Sequence, residues 1–316
     1  MSDTTILIDS TTVIPPTWSS EYGVTIIPVP IHAGGKEYRD GVDITAEQFV
    51  SLLETSKARP STAVPGLGEF MSFYERLLQQ HRNIIYPVPS TKLTGLFNAA
   101  IQAAKQINDA RILAIDPPGE WEEEVYAVDS SDLGSGDRLA EIRSWDGPVI
   151  TVMNTGFASG ATGLIAMEGC TAVQEGLALD ETLRRMMAAK RGTGIYFILP
   201  TLDYVVDRVG YLRAFLGTLL KLKPVLAIQN GSVEDVARVR GENKAKRQML
   251  DLVEQAVGDR QVDIYALHSL AQGEAEALLE QVKLALNVRN SWVGEIGCTV
   301  SRYTGRGGLG IAFRVV

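Results

Sequence analysis

Two rhythms of apolar residues alternate along the first hundred positions. Short continuous apolar runs read as strands buried on both faces, and stretches with apolar residues every three or four positions read as helices packed against them. Thr5-Ile6-Leu7-Ile8 is the first run, and it ends in the polar turn Asp9-Ser10-Thr11-Thr12, where ligand-facing groups collect in open α/β sheets. Pro15 and Pro16 open a short helix through Trp18 and Tyr22, closed by Gly23. Val24 to Ile31 reads as a second strand, at an edge or bulged because Pro28 and Pro30 interrupt it. Gly34 to Gly41 is a turn or small hairpin. Thr45-Ala46-Glu47-Gln48 resembles a capping box one residue out of place, opening a helix with Phe49, Leu52 and Leu53 inward. Helical spacing returns at Phe70, Phe73, Tyr74, Leu77 and Leu78 and again at Leu96, Phe97, Ala100, Ile101 and Ala104, with the buried strand Ile84 to Val88 between them. Such alternation predicts a parallel sheet with helices on both faces.

Residues 109–147 break the rhythm. From Asp116 to Asp137 there are eight acidic residues and no lysine or arginine, punctuated by Pro117-Pro118-Gly119 and Gly134-Ser135-Gly136. This reads as an acidic surface excursion with little regular structure; its spacing fits no EF-hand loop. Strand character resumes at Val149 to Met153, and Ser159-Gly160-Ala161-Thr162-Gly163 opens a long helix to Glu175 whose small residues predict close backbone approach to another element or a ligand. A further helix runs from Asp180 to Lys190. Beyond it, apolar runs at 195–199, 224–229, 262–267, 293–300 and 309–315 read as strands, with helices at 201–219, 242–257 and 272–285. The fold class is therefore α/β in two domains. Residues 1–175 form a three-layer α/β/α unit on a parallel sheet with the acidic insertion at about 109–147, and residues 176–316 form a second α/β unit on a mixed sheet.

A net charge of -8 and an isoelectric point near 5.1 argue against nucleic acid as a partner, which needs a basic surface. No apolar run is long enough to span a bilayer and the first residues do not read as a signal peptide, so a cytoplasmic location is expected, with at most transient membrane contact. Cys170 and Cys298 are isolated and read as reduced buried thiols; His32, His81 and His268 are scattered, which makes a histidine-based metal site improbable. No metal and no cofactor is expected.

The candidate chemistry lies in two hydroxyl-rich turns. Arg59-Pro60-Ser61-Thr62-Ala63-Val64-Pro65 and Pro89-Ser90-Thr91-Lys92-Leu93-Thr94-Gly95 each lead into a helix, and one strand brings them together. Free amides at helix starts and converging hydroxyls would hold an anionic head group. Helix capping is the other reading of the same residues. The glycine-rich Tyr303-Thr304-Gly305-Arg306-Gly307-Gly308-Leu309-Gly310 marks a tight backbone path, against a ligand or within a hairpin.

Taken in order, several segments resemble the DegV family of bacterial lipid-binding proteins over nearly the whole chain. They are Leu7-Ile8-Asp9-Ser10-Thr11; Lys36 to Ile44 with Phe49; Thr62 with Pro65, Glu69 and Phe70; and Ser90 to Gly95. In the second half they are Leu202-Asp203-Tyr204 with Leu219 to Val225, Asn230-Gly231, and Gly305, Gly307 and Leu309-Gly310. The resemblance implies a non-enzymatic carrier that buries a long-chain fatty acid and presents its carboxylate to the fatty acid kinase subunit, an ATP-dependent partner that makes an acyl phosphate. It implies Thr62 and Thr94 as the carboxylate ligands, and Ser10, Ser61, Gly95, Tyr303 and Arg306 complete the expected ligand-binding set. Where the family has a histidine and a proline in its last glycine run, this chain has Tyr303 and Arg306; Gly210-Tyr211-Leu212 replaces Gly-Arg-Ile, Leu96 a threonine, and Asn154-Thr155 Asp-Ser. The alternative, from another class, is a small-molecule enzyme using the same turns to hold a phosphorylated or keto substrate. Against it, no His/Asp or Cys/His constellation sits beside a nucleophile.

Overall fold

The computed structural model describes residues 3–56, 59–116, 124–127, 139, 145–205 and 222–316. Among these, the first half builds a sheet of order β2-β1-β6-β9-β7-β8 from β1 (Thr4–Asp9), β2 (Thr25–Ile27), β6 (Asn83–Val88), β7 (Arg111–Asp116), β8 (Glu124–Ala127) and β9 (Val149–Asn154). All pairings are parallel except the β7–β8 edge. The second half builds a mixed sheet of order β12-β11-β10-β15-β13-β14. Its strands are β10 (Thr193–Ile198), β11 (Leu222–Gln229), β12 (Ser232–Arg240), β13 (Val262–His268), β14 (Val288–Glu295) and β15 (Leu309–Val315). A small antiparallel sheet joins β3 (Pro30–Ala33), β4 (Lys36–Arg39) and β5 (Ser61–Thr62). The helices are α1 (Pro16–Glu21), α2 (Ala46–Thr55), α3 (Leu67–Leu78), α4 (Leu96–Ala104), α5 (Ser159–Gln174), α6 (Leu179–Arg191), α7 (Glu242–Val257), α8 (Gln272–Ala285) and α9 (Cys298–Thr304).

Alternation along each strand sets the layers. In the first sheet Leu7, Ile84, Tyr86 and Ile150 face α3 and α4, while Ile6, Ile8, Ile85 and Met153 face α5 and α6. In the second, Ile264, Ile311 and Phe313 pack under α7 and α8, while Ile195, Tyr265, Leu267 and Ala312 turn to the same central layer as the first sheet's inner face. The strands are continuous apolar runs because both their faces are covered. Helix α5 shows why this holds: it is buried on nearly every side, packed on β1 and β6 in one direction and on β10, β13 and β15 in the other. Such a helix has no polar stripe to give to water. Its small residues allow the approach, and a Cβ on Gly163 would fall 1.9 Å from the Val13 carbonyl oxygen.

Among the described residues, a paired charge network enters this middle layer. Asp263, 1% exposed, accepts from Arg289 (2.9 and 2.6 Å), Asn290 (3.0 Å) and Arg314 (2.6 Å). Arg314 also pairs with Glu168 of α5, which Arg185 of α6 shares with Glu175. Burial pushes the Asp263 carboxyl up, but the bonds and charges of Arg289 and Arg314 outweigh it and hold it below the usual carboxylate range.

Several expectations change. Residues 111–116 belong to a buried parallel strand and not to the acidic excursion: Ile112-Leu113-Ala114-Ile115 is an apolar run, masked in the reading by the charges that follow it. Most of that excursion lies outside the described residues, as do Gly210-Tyr211-Leu212 and most of the helix expected at 201–219. The strand expected over Val24 to Ile31 splits at Pro28, which has no N–H for the ladder, and β2 and β3 join different sheets. The capping box is in register: Thr45 is the N-cap, and Gln48 both donates its N–H to it and accepts from the Thr45 N–H. Strand β12 was not expected, although Asn230-Gly231, both at positive φ, form the two-residue hairpin turn that leads into it. In place of a strand over 293–300, β14 ends at Glu295 and α9 begins at Cys298. The buried Asp40 carboxylate causes this by accepting from Cys298 N–H, Thr299 N–H and the Thr299 hydroxyl, a cap supplied from the far end of the chain.

Gly163→Ala is expected to lower unfolding stability by about 3 kcal/mol, because the carbonyl it meets cannot move aside. Gly68→Ala in α3, with open space around it, is expected to be neutral or stabilising by less than about 1 kcal/mol; urea unfolding of both variants checks the contrast. Because folding lowers the Asp263 pKa, its contribution to stability is complete above the ordinary carboxyl value of 3.8 and fades as the pH falls below it. Asp263→Asn, which strands the buried Arg314 and takes the carboxylate partner from the more exposed Arg289, is expected to cost about 3 kcal/mol at neutral pH. That gap should narrow in unfolding curves taken through about pH 3.

Candidate functional site

Between the two sheets lies a cavity of about 750 Å³, within the roughly 300–1,000 Å³ range of ligand clefts. One wall comes from the two hydroxyl turns, the other from the inner face of the second sheet (Ile195, Phe197, Ile228, Leu267) and from α9. Its position follows from topology: the turns after β6 and β9, the start of α5 and the end of β13 all lie at strand carboxyl ends, where open α/β sheets leave crevices.

The first turn is strand-like. Ser61 and Thr62 form β5, paired with His32 and Ile31 of β3. Successive strand residues point to opposite faces, so Thr62 lines the cavity while Ser61 is exposed on the other side. Neither caps a helix, since the N-cap of α3 is Gly66. The Thr62 hydroxyl makes no hydrogen bond within the described residues. Arg302 of α9 fixes the entry to β5 through Nε–H to the Pro60 carbonyl (2.8 Å).

The second turn is held from three sides. Ser90 N–H donates to the Phe157 carbonyl (2.8 Å), the Ser90 hydroxyl donates to the Gly231 carbonyl on the β11–β12 turn (2.7 Å), and Leu93 and Thr94 N–H groups bond back to the Ser90 carbonyl. Thr91 accepts from Asn154 (3.2 Å), whose amide also reaches Asp116. Thr94 lines the cavity one residue before Gly95, the N-cap of α4, and accepts only a long bond from Leu96 N–H (3.4 Å). A Cβ on Gly95 would stand 3.5 Å from Val64 Cγ2, so the two turns do meet.

A family model described as "Uncharacterised protein, DegV family" matches residues 3–315. The chain belongs to the DegV family. A DegV domain-containing protein of Streptomyces coelicolor is 25% identical over 312 residues, 97% of this chain and 96% of its own. A Thermus thermophilus DegV family protein, its structure described as fatty acid binding, is 26% identical, covers 100% of both chains and superposes with a TM-score of 0.80. DegV of Bacillus subtilis, described as a fatty acid binding protein, shares the fold at a TM-score of 0.77 and 19% identity, with 100% of both chains covered.

Within this DegV-family chain, the cavity takes in Thr62, Thr94, Gly95 and Tyr303 from the expected set, and three others stand outside its lining. The Ser10 hydroxyl accepts from Val29 N–H (3.0 Å) and is spent on joining β1 to the small sheet. Ser61 is turned away by strand alternation, and exposed Arg306 pairs with Glu54 of α2 (3.0 Å). Among the lining residues that were not anticipated are Ser159 at the start of α5 and His268 at the end of β13. The glycines around Ser159 drew the reading to backbone approach, and His268 carries no local pattern beyond its place at a strand's carboxyl end. Deep in the first sheet, burial pushes the Asp9 carboxyl up despite donation from Thr11 and from the Tyr86 hydroxyl (3.0 Å). Cys170 and Cys298 are buried and unpaired, and burial pushes the Cys170 thiol up to about 12. Among the described residues, no cluster of three histidine, cysteine or acidic side chains is placed to hold a metal, and no helix is long and apolar enough to cross a membrane.

Ser90→Ala removes a 99%-buried bond between the second turn and the second sheet. It is expected to lower stability by about 1–2 kcal/mol in chemical unfolding, with little change in secondary structure by circular dichroism.

Proposed function

We propose that this chain binds a long-chain fatty acid in the cavity, with the carboxylate at Thr62 and Thr94 and the hydrocarbon along the inner face of the second sheet. One observation carries the reading: an aliphatic cavity whose rim brings together two half-buried threonine side chains from separate turns. The Thermus relative's description as fatty acid binding supports it. Burial of each methylene contributes roughly 0.8 kcal/mol, on the order of 10 kcal/mol for a sixteen-carbon tail before its ordering costs. A hydrogen bond to a charged oxygen adds about 1.5–3 kcal/mol. The tail therefore sets affinity, and the threonines set which end faces out.

In this reading the chain divides after α5 into units 1–175 and 176–316, and the acid lies between elements of both. The carrier offers the carboxylate to a kinase partner, as the resemblance implies; exposed Lys92 and half-buried Tyr303 in the wall leave the head end polar.

Thr62→Ala combined with Thr94→Ala is expected to weaken palmitate retention about tenfold or more with an unchanged fold, read by native mass spectrometry and circular dichroism. A double variant that retains the acid as the unaltered chain does would leave both residues structural. Protein that carries no acyl ligand on extraction and takes up neither palmitate nor oleate would sink the fatty acid reading.

A further inference from the structure

The cavity wall holds two donors that the fold does not use. His268 is only 5% exposed and its ring lines the cavity. Its Nδ1 accepts from Ala271 N–H (3.4 Å), which places the ring proton on Nε2. Nothing among the described residues accepts that proton. Burial holds the imidazole below its ordinary range, against the upward pull of Glu295 and Glu276, so the ring is neutral at pH 7.

Ser159, the first residue of α5, is also 5% exposed and lines the cavity. Its Oγ has no hydrogen-bond partner in the described residues, although an orphaned buried hydroxyl is unfavourable. It sits at φ +56°, a region that non-glycine residues rarely enter. The two groups line one cavity, and their chain neighbours come close, since a Cβ on Gly160 would stand 2.8 Å from the Leu267 side chain. Three further hydroxyls of the wall are taken: Thr11 donates to Asp9, Thr299 donates to Asp40, and Thr91 accepts from Asn154. No side chain caps α5, so the free amides and positive end of a sixteen-residue helix add to the same spot.

A carboxylate presents about four lone-pair sites, and the two threonines fill two. We infer that His268 Nε2–H and Ser159 Oγ–H complete the head-group site, so that an anionic acyl ligand is held by donors from both halves of the chain. This rests on the fatty acid reading above and extends it to two residues that reading does not need.

The test compares palmitate with 1-hexadecanol, which shares the tail and lacks the anion, by competition against a fluorescent fatty acid. His268→Leu is expected to weaken palmitate roughly tenfold or more and hexadecanol by less than about threefold. His268→Gln, whose amide carries an N–H near the Nε2 position, should recover most of the loss; Ser159→Ala should weaken palmitate several-fold. Thermal melting reports folding, and if His268→Leu does not fold, the glutamine and Ser159 variants decide. Unchanged palmitate affinity in the variants, or equal losses for both ligands, overturns the inference and leaves the carrier reading standing. An unaltered chain that binds neither ligand fails at the carrier reading itself.

Discussion

The architecture depends on one close contact, the passage of α5 beneath the Val13 carbonyl at Gly163. A side chain there would lift the helix off the turn after β1. Because it does not, α5 lies flat between two sheets and gives each an apolar face to cover. That single layer joins the halves of the chain more effectively than a linker would, since both inner faces lose their solvent only while the helix is in place. The same seating brings the start of α5 to the end of β13, and the cavity opens where these elements and the two hydroxyl turns fail to fill the space between the sheets.

If the cavity holds a fatty acid as proposed above, the division of work within it follows from magnitudes. Hydrocarbon contact is undirected and large; hydrogen bonds to a head group are directed and small in net terms. A wall of Ile195, Phe197, Ile228 and Leu267 is indifferent to which way a tail points, so polarity must come from a few placed donors. These sit on short, stiff segments: a two-residue strand anchored by Arg302, a turn latched by Ser90 to Gly231, and the first residue of a buried helix.

Charge in the interior obeys a different rule from charge at the rim. Glu168, Asp263 and Arg314 are nearly inaccessible, and each is engaged by more than one partner across α5, α6, β13, β14 and β15. Asp40 belongs to this class too, since its carboxylate ends one strand's neighbourhood and begins a helix at the other end of the chain. These pairings hold secondary elements in register, and none of the charged residues Asp40, Glu168, Asp263 and Arg314 lines the cavity.

The sequence by itself determined the alternation of strands and helices, the parallel first sheet, the mixed second sheet and the family, because continuous apolar runs, helical spacing and turn residues are properties of neighbouring positions. It also led to the expectation that two hydroxyl turns converge, and the structure brings them together across α3 and β6. Only the tertiary structure decided which of those hydroxyls face inward. Thr62 and Ser61 differ by the register of a two-residue strand, and Ser10 is spent on Val29. The tertiary structure also decided that 111–116 is a strand, that α9 is a helix capped by Asp40, and that Ser159 and His268 share a wall. The physical reason is the same each time: a side chain's partner may lie more than a hundred residues away, and no local pattern encodes an interaction whose other half is brought by the fold.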